Sequence, residues 1–339
     1  MSAINLKAPP RATFEFQAFV TAALADAGSR VAGFALGDGT LRLVPLAGGE
    51  PESLALHDGA ILALAIHPGG GFVSAGDDGR VLRVSGADAP AEIARHAGQW
   101  IEHLVTTETG GIAYSVGRDI HRRGPDGMAL PALGPHPSTV AGLDARGSLL
   151  AAAHYNGVTL WDLAAAEPSP RSLVWKGSHI AIALSPDLRF VATSLQEGEV
   201  HGWRLANGTE MRMSGYPAKV RSLSWAHDAS LLATSGNAAL VAWPFDGDGP
   251  EGRAPLELAD AKGALATRVA CHPSLALIAG GYASGWISLT DGATRRGARF
   301  QLSRTAPVSA LAWSPDGAHL IAGAEDGRVA IFSDRSLAR

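Results

Sequence analysis

Short apolar runs that alternate with small or polar residues fill this chain, and turn-forming pairs interrupt them at regular intervals. The clearest instance is the last. Val308-Ser-Ala-Leu311-Ala-Trp313 is followed by Ser-Pro-Asp-Gly317, then Leu320-Ile-Ala-Gly323, Glu325-Asp326-Gly327 and Val329-Ala-Ile331-Phe332. Period-two alternation predicts three short strands, and Pro-Asp-Gly and Glu-Asp-Gly supply the backbone freedom that the two connecting turns need.

The same template recurs at Ile61-Leu-Ala-Leu64-Ala-Ile66 with Asp77-Asp78-Gly79, and at Val220-Arg-Ser-Leu223-Ser-Trp225. Fainter copies are marked by Val140 with Asn156-Gly157 and Trp161-Asp162, and by Ser185-Pro186-Asp187 with Trp203; weaker ones start at Val20, Ile101 and Ala266. The first-strand anchors Val20, Ile61, Ile101, Val140, His179, Val220, Ala266 and Val308 are 41, 40, 39, 39, 41, 46 and 42 residues apart. One further alternating segment lies between successive units, as at Ser53–Leu56, Glu92–Arg95, Ser172–Trp175, Glu210–Met213, Leu256–Leu258 and Arg299–Leu302. Each unit therefore owns four strands.

Four-stranded units at this period predict an all-β fold, a closed β-propeller of antiparallel blades stacked around an axis. No amphipathic helical stretch separates the strands, which excludes parallel α/β layouts. Eight blades are expected, with seven as the alternative if the unit at Ile101 or Ala266 is irregular, in a single domain spanning residues 1–339. After Phe332 too few residues remain for a last fourth strand. Thr13-Phe-Glu-Phe16 has the right alternation, and it is expected to pair beside Val329–Phe332 and close the last blade.

On these residues the chain resembles the WD-repeat family of propellers over nearly its whole length. Trp161-Asp162 is an intact copy of the name-giving dipeptide, while Trp203 and Trp243 hold the tryptophan position alone. The resemblance implies blades stiffened by a hydrogen-bonded set of His, Ser or Thr, Asp and Trp. His57, Ser74 and Asp78 match three positions of one set, with Val84 in place of the tryptophan; His136, Asn156 and Trp161 match part of a second.

Composition adds limits. Hydrophobic residues make up 46% and charged residues 18%, as in a packed globular protein, and the net charge of −4 offers no basic field for nucleic acid. One cysteine, Cys271, excludes an internal disulfide framework and a thiolate zinc cluster, and fits the cytoplasm as the expected compartment. No stretch reaches the apolar length of a membrane span, and the Phe19–Ala25 segment is too short to be a leader and follows Glu15. No membrane partner is expected.

Twelve histidines are scattered without metal-ligand spacing, so no metal or other cofactor is expected. His67, His227 and His272 recur at equivalent turns, which points to a structural role. Cys271 and His272, adjacent on a strand, face opposite ways and cannot form a dyad. Gly247-Asp-Gly249-Pro-Glu-Gly252 spells the dinucleotide-binding pattern, but Pro250 inside it and no helix after it make it a flexible loop insertion between a third and a fourth strand.

The function expected is therefore a non-catalytic scaffold that binds one or more proteins, with a small-molecule ligand not expected. A propeller enzyme or small-molecule binder with a site at the central channel is the alternative. The family resemblance implies docking on the face formed by the loops entering each first strand and those joining second to third strands. By register that face includes Trp100, Glu102, Lys219, Arg221, Arg118 and Tyr155, with Trp100, Tyr155, Arg118 and Arg221 as one patch on neighbouring blades. The structural residues expected are His57, Ser74, Asp78, His136, Asn156, Trp161 and Asp162.

Overall fold

A computed structural model describes residues 9–86, 89–260 and 263–333. Among them every regular element is a strand, most of them four to six residues long. The strands form antiparallel sheets of the up-and-down kind, as in Val20–Ala25, Val31–Leu36, Thr40–Pro45 and Glu52–Ala55, where each strand pairs with the next in sequence. The second strands are buried along nearly their whole length, because neighbouring sheets cover both of their faces: Phe72–Gly76 and Phe190–Leu195 expose nothing. Outer strands such as Ala129–Leu133 are mostly exposed. The apolar core accordingly lies between sheets. One cluster joins Val20, Phe34 and Val44 of the first sheet to Ile321, Val329 and Ile331 of the last.

Separate blades are fewer than the repeats predict. Six sheets have four strands and one has six, so seven sheets are present where eight are expected. The irregularity is at neither Ile101 nor Ala266, whose units form ordinary four-stranded sheets. It lies between the units at Val140 and His179. The strand Pro170–Leu184 runs on from one unit into the other, pairing first with Gly157–Trp161 and then, past Tyr155↔Ser178 and His179↔Leu195, with Val191–Ser194. The chain passes through Lys176 and Gly177, the latter at a positive φ of 138° with a register shift on either side, and the pairing joins the two units into one six-stranded sheet.

The ring closes as the alternation at Thr13–Phe16 predicts. Ala12–Glu15 pairs with Arg328–Ser333 in the register Ala12↔Ile331, Thr13↔Ala330, Phe14↔Val329 and Glu15↔Arg328. Arg11 N and Phe16 N extend the ladder to Ile331 O at 2.8 Å and Gly327 O at 3.0 Å. Phe14 and Phe16 then pack on the cluster shared by the first and last sheets. The first and last strands of the described residues thereby meet in one sheet, and an exposed edge disappears.

First strands are tied side by side around the axis by short polar side chains. Ser309 Oγ donates to Val20 O at 2.7 Å, Thr267 Oγ1 to Val308 O at 2.6 Å and Thr106 Oγ1 to Ile66 O at 2.6 Å. Ser222 Oγ accepts from Val269 N at 3.0 Å. Ser and Thr at these positions satisfy backbone groups of the adjacent sheet.

Candidate functional site

The buried polar sets sit where an entering loop crosses a second strand. His57 Nδ1–H donates to Asp78 Oδ1 and Ser74 Oγ–H donates to His57 Nε2, each at 2.9 Å; the directions follow because a carboxylate can only accept. Asp78 also accepts from Arg80 N at 3.0 Å and Asp58 N at 3.1 Å. Burial by itself would raise the Asp78 carboxyl, but the hydrogen bonds from His57 and the two amides outweigh it and hold the pKa below the usual range. One side chain thus fixes two loops and a second strand.

His136 and Trp161 also meet: Trp161 Nε1–H donates to His136 Nε2 at 3.4 Å, while His136 Nδ1–H donates to Arg118 O at 2.8 Å. Asn156 does not complete that set. Held at φ 68° in the turn, it accepts from Gly177 N at 3.3 Å instead. Asp162 is exposed, and its carboxyl is held low, first by a hydrogen bond from the Ser148 side chain and then by one from Ala164 N.

Two further sets are not evident from the residue pattern. His179 bonds Thr193 Oγ1 at 2.8 Å and donates to Trp175 O at 2.9 Å. Tyr216 stands in the histidine position, accepting from Trp243 Nε1–H at 2.6 Å and bonding Thr234 Oγ1 at 2.8 Å. Trp243 was legible as a tryptophan position; a tyrosine replacing the histidine hid its connection to Thr234.

The turn histidines behave alike where bonds are seen. His67 Nδ1 accepts from Gly69 N, and His272 Nδ1 from Ser274 N and Leu275 N. Cys271 Sγ reaches back to Ser224 O at 3.3 Å while His272 Nε2 donates forward to Gly317 O at 3.0 Å, so the two side chains do diverge. The Gly247–Gly252 segment does lie between a third strand, Ala239–Pro244, and a fourth, Leu256–Asp260, but it is not the free loop expected. Gly249 and Pro250 are buried, and Arg204 Nη2, Arg189 Nη1 and Arg253 Nη1 bond Asp248 O, Gly247 O and Asp246 Oδ1. Among the described residues no group of three or more His, Cys, Asp or Glu could hold a metal ion.

On the loop face, Trp100 is 66% exposed and Tyr155 51%. Glu102, Arg118, Lys219 and Arg221 are exposed as well. Trp100 and Arg118 belong to the sheet that starts at Leu104–Thr106, and Tyr155 to the six-stranded sheet beside it. Arg118 Nε donates to His136 O at 2.6 Å, and Ser138 Oγ accepts from Tyr155 N at 2.8 Å, which ties these loops together. Arg221 and Lys219 precede Leu223–Trp225, whose sheet adjoins the other side of the six-stranded sheet, so Arg221 is on a sheet next to that of Tyr155 but not next to that of Trp100 and Arg118, and the four residues expected as one patch do not all lie on adjacent sheets. Exposed apolar side chains that the repeat pattern left unflagged, Met128 and Val174, lie at the outer strands of the same two sheets.

Comparison with known proteins agrees with this architecture. The family model "WD domain, G-beta repeat" (WD40) matches residues 51–82 and 299–333. The chain carries WD repeats in a β-propeller, and the resemblance stated from the sequence is borne out. Among solved structures, the computationally designed Ika8 protein superposes with a TM-score of 0.76 at 18% identity, covering 94% of this chain and 97% of that one. A chain of the mitotic checkpoint complex superposes at 0.66 with 13% identity, covering 98% and 96%. No curated protein matches the sequence. These likenesses concern the fold.

Proposed function

We propose that this single-domain propeller is a non-catalytic docking platform for one or more proteins, and that partners are received on the loop face around Trp100. The observation that carries the reading is Trp100 itself: 66% exposed, with no ring contact or hydrogen bond among the described residues, on a loop held by His96 N to Gly79 O at 2.8 Å, Ile101 N to Gly76 O at 3.2 Å and the His96 ring to the Tyr114 hydroxyl at 3.0 Å. A rigid frame that presents an unpaired indole offers a large apolar area at small entropic cost. WD repeats most often serve as interaction scaffolds, and one solved neighbour is a protein complex; both favour this assignment.

We also infer that the six-stranded sheet acts as two blades, giving eightfold repetition. Leu163 N donates to Ser148 O at 2.7 Å, so Leu149–Asp162 doubles back at Asn156-Gly157 and contributes two strands to the unit at Val140.

The platform reading is tested by capturing partners from the native cells with tagged protein, identifying them, and measuring one purified partner against Trp100→Ala. A loss of about 2 kcal/mol, roughly thirty-fold in affinity, with an unchanged melt is expected. Undiminished capture, or a variant that unfolds early, would assign Trp100 to the scaffold.

A further inference from the structure

Arg221, just ahead of the first strand Leu223–Trp225, stands close to Arg268 on the adjacent first strand Ala266–Cys271. Ser222 Oγ bonds both the N and, at 3.4 Å, the O of Val269, which sets Arg221 next to Arg268 across the boundary between their sheets. Arg268 is partly buried, and among the described residues its side chain makes one hydrogen bond, from Nη1 to Thr267 O at 2.9 Å. Neither guanidinium forms an ion pair among the described residues. Arg268 pairs in register with Gly281, and the residues in that register on the other first strands are Ala, Gly or Ser, apart from His103. Among the described residues no first strand carries an acidic side chain in the register of Arg268; Glu102 is level with Arg221, on another sheet. Burial and the neighbouring Arg221 charge both push the Arg268 pKa down, against a weaker opposing pull from Glu325. A guanidinium that remains charged in such a place is short of a counter-ion, and it presents several donors in a planar fork.

We propose that the mouth of the central channel, between Leu223–Trp225 and Ala266–Cys271, binds an anionic oxygen group, carboxylate or phosphate, through Arg268 and Arg221. The two arginines match the geometry of planar, multidentate recognition of such groups. Arg268 is the inner donor and Arg221 the outer one. The group arrives either as a free anion or on an acidic segment of a partner protein. The site shares a face with the docking loops but does not depend on them: anion binding can succeed where capture through Trp100 fails, and the reverse.

The test is calorimetric titration of the full chain with sodium pyrophosphate and, separately, with a hexaglutamate peptide, at constant ionic strength set with sodium chloride. Saturable binding of at least one is expected. Arg268→Gln and Arg221→Gln should each weaken it roughly ten-fold or more, with the melt of each variant confirming the fold. Arg299→Gln, on an exposed outer strand, should leave it unchanged. Pyrophosphate binding that the peptide does not match identifies a free anion; tighter peptide binding identifies an acidic segment. No saturable binding by either, or binding that survives replacement of both arginines, overturns the proposal.

Discussion

The closing strand is where a single side chain tests the architecture most directly. Phe16 follows Ala12–Glu15 and lies between the first and last sheets: its ring is 5.7 Å from Phe34 in an edge-on arrangement, and the Arg42 guanidinium lies 5.5 Å from its centre. Replacing it with alanine removes the ring from a half-buried site. Full burial of a phenylalanine contributes about 1.5–3 kcal/mol, so half of that remains here, and loss of the edge-on contact with Phe34 adds about 0.5–1.5 kcal/mol. Phe16→Ala should therefore cost about 2 kcal/mol. Unfolding entropy scales with chain length, and for a chain of 339 residues that unfolds as a unit this corresponds to a drop of about 3 °C in Tm. The assay is thermal and urea unfolding by circular dichroism, paired with limited proteolysis, because a loosened closing strand should be cut first. Phe19→Ala is the control, since Phe19 is already 42% exposed and should shift the melt by less than about half as much. A Phe16→Ala protein that matches this control in melt and in rate of cleavage near the N-terminus would refute the view that Ala12–Glu15 fastens the ring.

Other expectations follow from buried groups. Asp78→Ala leaves His57 Nδ1 and two amides without an acceptor, and should cost about 2 kcal/mol in urea unfolding, whereas loss of the exposed Asp162 carboxylate should cost less. His201, stacked on Trp175 at 3.9 Å with both ring nitrogens buried and without a partner among the described residues, has its pKa lowered to about 4 by burial, as does His103. In the unfolded chain both titrate near 6.5, so the folded state binds fewer protons between those values. Stability should be unaffected by these rings above pH 6.5 and fall as pH drops toward 4. Asp144, raised to about 6 by burial, works in the opposite sense, losing its contribution as pH rises through 6. His201→Phe should raise stability at neutral pH by about 1 kcal/mol and flatten the acid limb; an unchanged slope would count against the assignment. The Cys271 thiol, pushed up to about 12 by burial, should resist an aromatic disulfide reagent at pH 8 until the protein unfolds, which a spectrophotometric thiol assay reads directly.

Strand content, repeat period and ring closure were all legible in the sequence, because each depends on local terms. Side-chain alternation with period two and turns that require Asp-Gly appear wherever a strand or hairpin is built, and the stranded last unit left Thr13–Phe16 as the segment able to complete it. The His57–Ser74–Asp78 contact was legible for the same reason, since all three residues occupy fixed places in the repeat. What the sequence could not supply was decided between units. Whether two repeats remain separate depends on how the backbone crosses from one to the next at Lys176 and Gly177, where the glycine permits the positive φ of 138° but does not by itself say whether the sheets join. Tyr216 replaces a histidine because a phenolic hydroxyl reaches the same two partners, a matter of distance rather than identity. The separation of Arg221 from Trp100, and its pairing with Arg268, likewise arise only once the chain is bent into a ring. Register along the chain tells which loop carries a residue, but curvature decides which loops are neighbours.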